Sequence, residues 1–214
     1  MLRKITVISW LLTISLVIEF FFVKFLSIDC HTSLLKLELL PIILIGFLFG
    51  FKFSFFANFF YILIHISLEF LIDYHKMSFF LNVKSDQSFF LQILLLLFMF
   101  VIPYIFCSLS GLFYQENLKN LTDYKSLILS LSLITIMQIC SYACFTYCLS
   151  LLSHNPMLDD FRNILWVPWF SSSIYMIIFL YYLLSVIINN LLIGFILFFI
   201  NPILKDNIET LFLN

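Results

Sequence analysis

The feature that most constrains this chain is a succession of long apolar runs broken by almost no charge. They extend over Ile5–Leu26, Leu37–Phe51, Phe53–Ile72, Phe89–Phe113, Ser126–Leu152 and Trp166–Ile200. A helix needs about 20 residues to cross a hydrocarbon core about 30 Å thick, and most of the runs meet that length. A soluble fold cannot absorb them, because only 11% of the 214 residues are charged while 63% are hydrophobic. An ordinary domain carries about 25% charged residues, so a second solvent, the bilayer, must take up the apolar surface. The runs lack the alternation of apolar and polar residues that a membrane barrel requires. The expected fold is an all-α integral membrane bundle of six transmembrane helices, forming a single domain over residues 1–214.

Two runs depart from the ideal length. The second is short, which predicts a helix that starts at Leu34 or Leu35 and carries Lys36 and Glu38 in its first turn. The sixth is long, and Trp166–Ser173 reads as an interfacial lead-in, since Trp and Tyr favour the headgroup depth. Arg3 and Lys4 precede a first run too long for a signal peptide and followed by no small-residue cleavage site, so it is expected to stay as an anchor. The cell membrane is the expected location, with both termini cytoplasmic. Arg3, Lys4, Lys52, Lys119, Lys125 and Lys205 then lie inside, against Lys24, Lys36, Lys76, Lys84 and Arg162 outside. The chain has only 4 Gly, so serine is expected to supply much of the close helix approach.

Several chemistries find no support. Eleven Lys plus Arg against twelve Asp plus Glu leave no basic stripe for nucleic acid. Gly46, Gly50, Gly111 and Gly194 form no phosphate loop, so the chain does not drive itself with nucleotide. No cofactor is expected. His65 and Glu69 stand one turn apart on the third span and could serve a membrane enzyme, but a mutual hydrogen bond is the more economical reading. Cys140, Cys144 and Cys148 share one helical face, where free cysteine ordinarily packs as a small hydrophobe. Glu19, deep in the first span, is either a proton or ion element or a carboxylate paired across to a neighbouring helix.

The loops Ser27–Ser33, Asp73–Ser88 and Ser153–Leu165 share one face and bring His31, His75 and His154 to it. Beyond the third stand Trp166, Trp169 and Tyr175, with Asp159 and Asp160 just before. These rings form either an aromatic belt at the interface or a stacking cage, whose carboxylates would suit a flat, cationic heterocycle.

Pro41, Gly50, Ser54 and Asn58, within LELLPIILIGFLFGFKFSFFANFF, resemble the second and third helices of the substrate-binding S components of energy-coupling factor (ECF) vitamin transporters. Pro103 with Gly111, Leu112 and Phe113 resembles the end of that family's fourth helix, and Trp166, Trp169 and Tyr175 resemble the opening of the sixth in its thiamine-specific member. The resemblance implies a non-enzymatic binding subunit that captures a small water-soluble vitamin, thiamine first. It implies as partners a transmembrane coupling subunit and two ATPases. Trp166 and Trp169 would stack the ligand, Tyr175 and His154 would hydrogen-bond it, and Asp159 or Asp160 would attract its charge. Met99 stands, between Phe98 and Phe100, where the family has a Glu-Tyr pair. Ser9 and Thr13 match by spacing the small-residue face that docks on the coupling subunit. The alternative is a non-catalytic scaffold similar to the rod-shape-determining membrane protein.

Overall fold

The computed structural model describes residues 2–26, 35–72, 86–115, 123–151 and 174–213. Every regular element among them is helical: α1 (Leu2–Leu26), α2 (Leu39–Phe49), α3 (Phe51–Ile72), α4 (Asp86–Leu96), α5 (Ile102–Phe106), α6 (Tyr124–Ser150) and α7 (Ile174–Leu213). A π-helical turn, Leu97–Val101, joins α4 to α5, and a 3-10 segment, Cys107–Phe113, continues α5. Leu2–Phe21, Phe51–Leu68, Phe89–Phe113, Tyr124–Ser150 and Ile174–Leu204 are long and apolar enough to cross a membrane, and Leu39–Phe49 is a shorter apolar helix. The protein is an all-α, multi-pass membrane bundle. Its polarity is distributed for lipid: on α3, Ser54 and Asn58 are fully buried while Phe56 and Phe60 are 63% and 58% exposed. Apolar side chains cover the outside because the hydrocarbon solvates them, and polar ones turn inward to find partners.

The second helix is shorter than expected. It begins at Leu39, leaving Lys36 and Glu38 in the turn that leads into it, where the Leu39 and Leu40 amides bond the Lys36 and Leu37 carbonyls. Pro41 supplies the reason. Without an N–H, proline is tolerated in the first turn of a helix, where the amides have no intrahelical acceptor, and disrupts the interior. A start at Leu34 or Leu35 would have placed Pro41 in that interior. At the other end Gly50, at φ 84°, reverses the chain in a single residue, its amide bonding the Gly46 carbonyl. From this turn α3 rises about 33 Å and α2 about 16 Å. The N-terminus of α2 therefore stops about midway through the bundle, level with Tyr61.

The fourth span is continuous in position but not in hydrogen bonding, again because of a proline. The Ile102 amide bonds the Leu97 carbonyl five residues back. Under that pattern the Phe98 carbonyl would look to residue 103, which is Pro103 and has no N–H. Ser141 of α6 donates its hydroxyl to the Phe98 carbonyl at 2.8 Å instead. Glycine keeps the closest approach, at Gly46 and Gly111, and serine bonds beside it: Ser110 packs on Gly46 and donates to the Ile43 carbonyl at 2.9 Å.

Two apolar cores result. One surrounds α2, with Ile42, Ile43, Ile45 and Phe47 fully buried against Tyr61, Ile134, Ile193 and Leu197. The other joins α4, α6 and α7 through Leu95, Phe145, Ile178 and the stacked rings of Tyr142 and Tyr182, 4.5 Å apart. α7 runs on to Leu213 through Pro202, well past the Ile200 expected as the end of its span.

The α2 contact leaves no room for a methyl group. A Cβ on Gly111 would lie 2.4 Å from the Phe51 backbone nitrogen, whereas one on Gly194 would meet only the Leu131 Cδ1 at 2.9 Å. Gly111→Ala is expected to destabilise the detergent-solubilised protein by about 1–3 kcal/mol, because backbone must move, and Gly194→Ala by much less, because a side-chain end can rotate away. Thermal unfolding of the two variants in one detergent compares them directly.

Candidate functional site

Where α2 stops, ionisable side chains collect in the interior of the bundle. Glu19 of α1 is 5% exposed, Glu38 7% and His65 of α3 2%. Tyr61 and His65 lie one turn apart on α3 with stacked rings, and both turn toward α1. The Tyr61 hydroxyl donates to Glu19 Oε2 at 2.6 Å, and His65 Nδ1 meets Glu19 Oε1. One proton must lie between that nitrogen and oxygen, since two lone pairs would repel. Both carboxylate oxygens are thus held by α3, and the two helices are tied at a depth where an unpaired carboxylate would be very costly.

Tyr104 of α5 forms the opposite wall. Its ring lies 5.2 Å from that of His65 and 5.5 Å from that of Tyr61. Its hydroxyl donates to Glu38 Oε1 at 3.3 Å, and the Lys36 ammonium stands 5.7 Å from its ring centroid. The Lys36 amide donates to Asn189 Oδ1 of α7 at 2.6 Å, and the Ser15 hydroxyl of α1 donates to the Glu38 carbonyl. Non-helical backbone at this depth is tolerated because side chains from α1 and α7 satisfy it.

A second polar group adjoins the first through α5. Gln138 of α6 donates to the Pro103 carbonyl at 3.2 Å and accepts from Asn190 at 2.9 Å, while Asn190 also donates to Thr135 at 2.9 Å. Five elements therefore place polar side chains in one layer: α1, α3, α5, α6 and α7, with the turn before α2 at its centre. Such a layer can recognise a charged or hydrogen-bonding solute, or hold and pass a proton.

The sequence candidates distribute unevenly around this layer. Glu19 is paired across to a neighbouring helix, the second of its two readings. His65 faces Glu19, and the side chain of Glu69 lies outside the described residues. Trp166, Trp169, His154, Asp159 and Asp160 also lie outside them. Tyr175 is half-buried at the start of α7, where it lines an open groove of ≈ 310 Å³ with Thr146, Tyr147 and Met176. Met99 is 3% exposed and packs in the apolar core of α4, α6 and α7. Ser9 and Thr13 are exposed on α1, their hydroxyls bonded to the Ile5 and Ser9 carbonyls of their own helix. Of the cysteines, Cys140 and Cys144 are exposed and Cys148 is buried, and among the described residues no cluster of His, Cys, Asp and Glu could hold a metal ion. Pro41, Gly50, Ser54 and Asn58 are all buried along the α2–α3 hairpin. Tyr61 and Tyr104 were missed, although Tyr61 stands four residues before His65 and therefore on its helical face.

No protein-family model, characterised protein or solved structure matches this chain.

Glu19 is held from two sides, so its removal leaves both His65 and Tyr61 without their acceptor. Glu19→Ala is expected to cost about 3–5 kcal/mol, as for other buried pairs broken on one side. The double variant Glu19→Leu, His65→Leu should recover part of that loss, because it leaves no single charge behind. A double-mutant cycle on thermal stability in detergent measures the coupling.

Proposed function

We propose that this chain is the solute-binding membrane subunit of an importer of the energy-coupling factor kind. Its cargo is a small, water-soluble, flat heterocycle with positive charge, thiamine being the first to test. The observation that carries this reading is the half-length α2: its N-terminus stops about midway along the bundle among Lys36, Glu38, Glu19 and His65. Ionisable side chains are retained at that depth where a solute or ion must be met, and interrupted helices are a recurrent means of presenting them. The sequence carries no phosphate loop, which fits a division of labour in which partner subunits with ATPase activity supply the energy.

In this reading the solute enters at the end of the bundle where Tyr175 lines its groove and Trp166, Trp169 and His154 neighbour it in sequence. The indoles stack on the heterocycle, Tyr175 and His154 hydrogen-bond it, and Asp159 or Asp160 draws its positive charge. Ser9 and Thr13 support a docking face for the coupling subunit. Their hydroxyls are satisfied within α1, so a partner helix can approach closely without stripping a hydrogen bond. The chain works in the cell membrane with both termini cytoplasmic.

Titrating thiamine into purified protein should quench tryptophan fluorescence with a saturable isotherm. Trp169→Ala should weaken binding by about 1–3 kcal/mol, the range for one lost stacking ring. Folded protein whose fluorescence is unmoved by thiamine, riboflavin, biotin or folate sinks the proposal. Co-purification of an ATPase pair, lost in a Ser9→Phe, Thr13→Phe variant that still binds solute, would support the partner assignment.

A further inference from the structure

Ser54, Asn58, Tyr61 and His65 recur at intervals of four, three and four residues and so form one stripe along α3. All four are buried, at 0%, 0%, 0% and 2% exposure. The stripe starts one turn beyond the Gly50 reversal and rises about 16 Å to the Glu19–His65 pair, about half the hydrocarbon core. Its upper members are satisfied by Glu19. Its lower members are not: Ser54 Oγ and Asn58 Oδ1 have no protein partner, although Asn58 Nδ2 donates to the Tyr104 carbonyl at 3.1 Å. With the amide nitrogen committed, the Asn58 oxygen cannot be exchanged for it by a flip. Two orphaned oxygens one turn apart, inside a membrane protein, are what a bound water satisfies.

We propose that the buried stripe of α3 carries a file of bound water from the Gly50 end of the bundle to the Glu19–His65 pair, which makes that pair a proton-exchange site within the membrane. The ligands are water and the proton. The pair already holds one proton between Nδ1 and Oε1. A second, delivered along the file, adds to the Glu19 carboxylate, so that the pair holds two protons, one on Nδ1 and one on the carboxyl group; the reverse step returns it to the water at Asn58. Tyr61 stands between Asn58 and the pair with its hydroxyl on Glu19, so the last transfer has a hydrogen-bonded route. The remaining titratable groups around the pair are Tyr104 of α5 and Glu38 and Lys36 ahead of α2, and they set the charge against which the second proton is taken up. The inference stands apart from the identity of any solute.

Full-length protein labelled with 15N-histidine and reconstituted in liposomes provides the test, the His65 ring signal being assigned by its loss in His65→Gln. On transfer to deuterium oxide the wild-type Nδ1 proton should exchange faster than the backbone amides of the α3 interior. Asn58→Leu and Ser54→Val should each slow that exchange by about tenfold or more, since it then awaits local opening of the helices. A wild-type proton that outlasts those amides, or exchange untouched by both substitutions in protein whose other histidine signals are unmoved, overturns the proposal. Because Asn58→Leu also removes the bond to Tyr104, Ser54→Ala supplies a gentler arm: a lowered Tm supports a hydrated hydroxyl. An unchanged or raised Tm, as expected when an unpaired hydroxyl leaves a dry core, counts against it.

Discussion

The contact between Glu19 and the Tyr61–His65 face of α3 is the interaction on which the interior of this protein depends. A carboxylate at that depth has no water to fall back on, so its burial is tolerable only while both oxygens are held. Meeting that requirement sets the rotation of α1 against α3. It also places Tyr104, whose ring lies against both Tyr61 and His65, and through Tyr104 the position of Glu38 and the start of α2. The polar interior is thus a set of mutually satisfied partners.

The same demand governs the backbone. Three of the places among the described residues where the helical ladder is interrupted have a cover. Gly50 reverses the chain while its amide keeps the Gly46 carbonyl. The turn before α2 is held by Asn189 and Ser15. The π-helical turn hands its uncovered Phe98 carbonyl to Ser141. α5 sits between the two polar groups, giving the Tyr104 carbonyl to Asn58 on one side and the Pro103 carbonyl to Gln138 on the other. A shift of this short helix would disturb both at once, which makes it the natural mechanical link between α3 and α6.

Parts of this arrangement were legible along the chain. Apolar runs announce membrane helices because the bilayer demands their length, and Glu19 announces a partner because a lone carboxylate is too costly there. Pro41 argues against a helix starting at Leu34 or Leu35, because its missing N–H outweighs the length of the apolar run. Other features were out of reach. His65 stands with Glu69 in the sequence because residues four apart are neighbours on a helix, but its bond to Glu19, 46 positions away in the chain, could not be read there. Tyr104 could not be singled out from the other tyrosines, because its role comes from what packs around it.

What the amino-acid order determined by itself is the solvent and the class of fold: too little charge for water, runs long enough for lipid, and no alternation for a barrel. It also contained the local causes of the breaks at Gly50 and Pro103, a missing side chain and a missing N–H, although the apolar runs continue through both positions. Which polar groups meet was decided only by the tertiary structure. Hydrogen bonds between helices depend on the rotation and depth of whole elements relative to one another, a property no single segment contains.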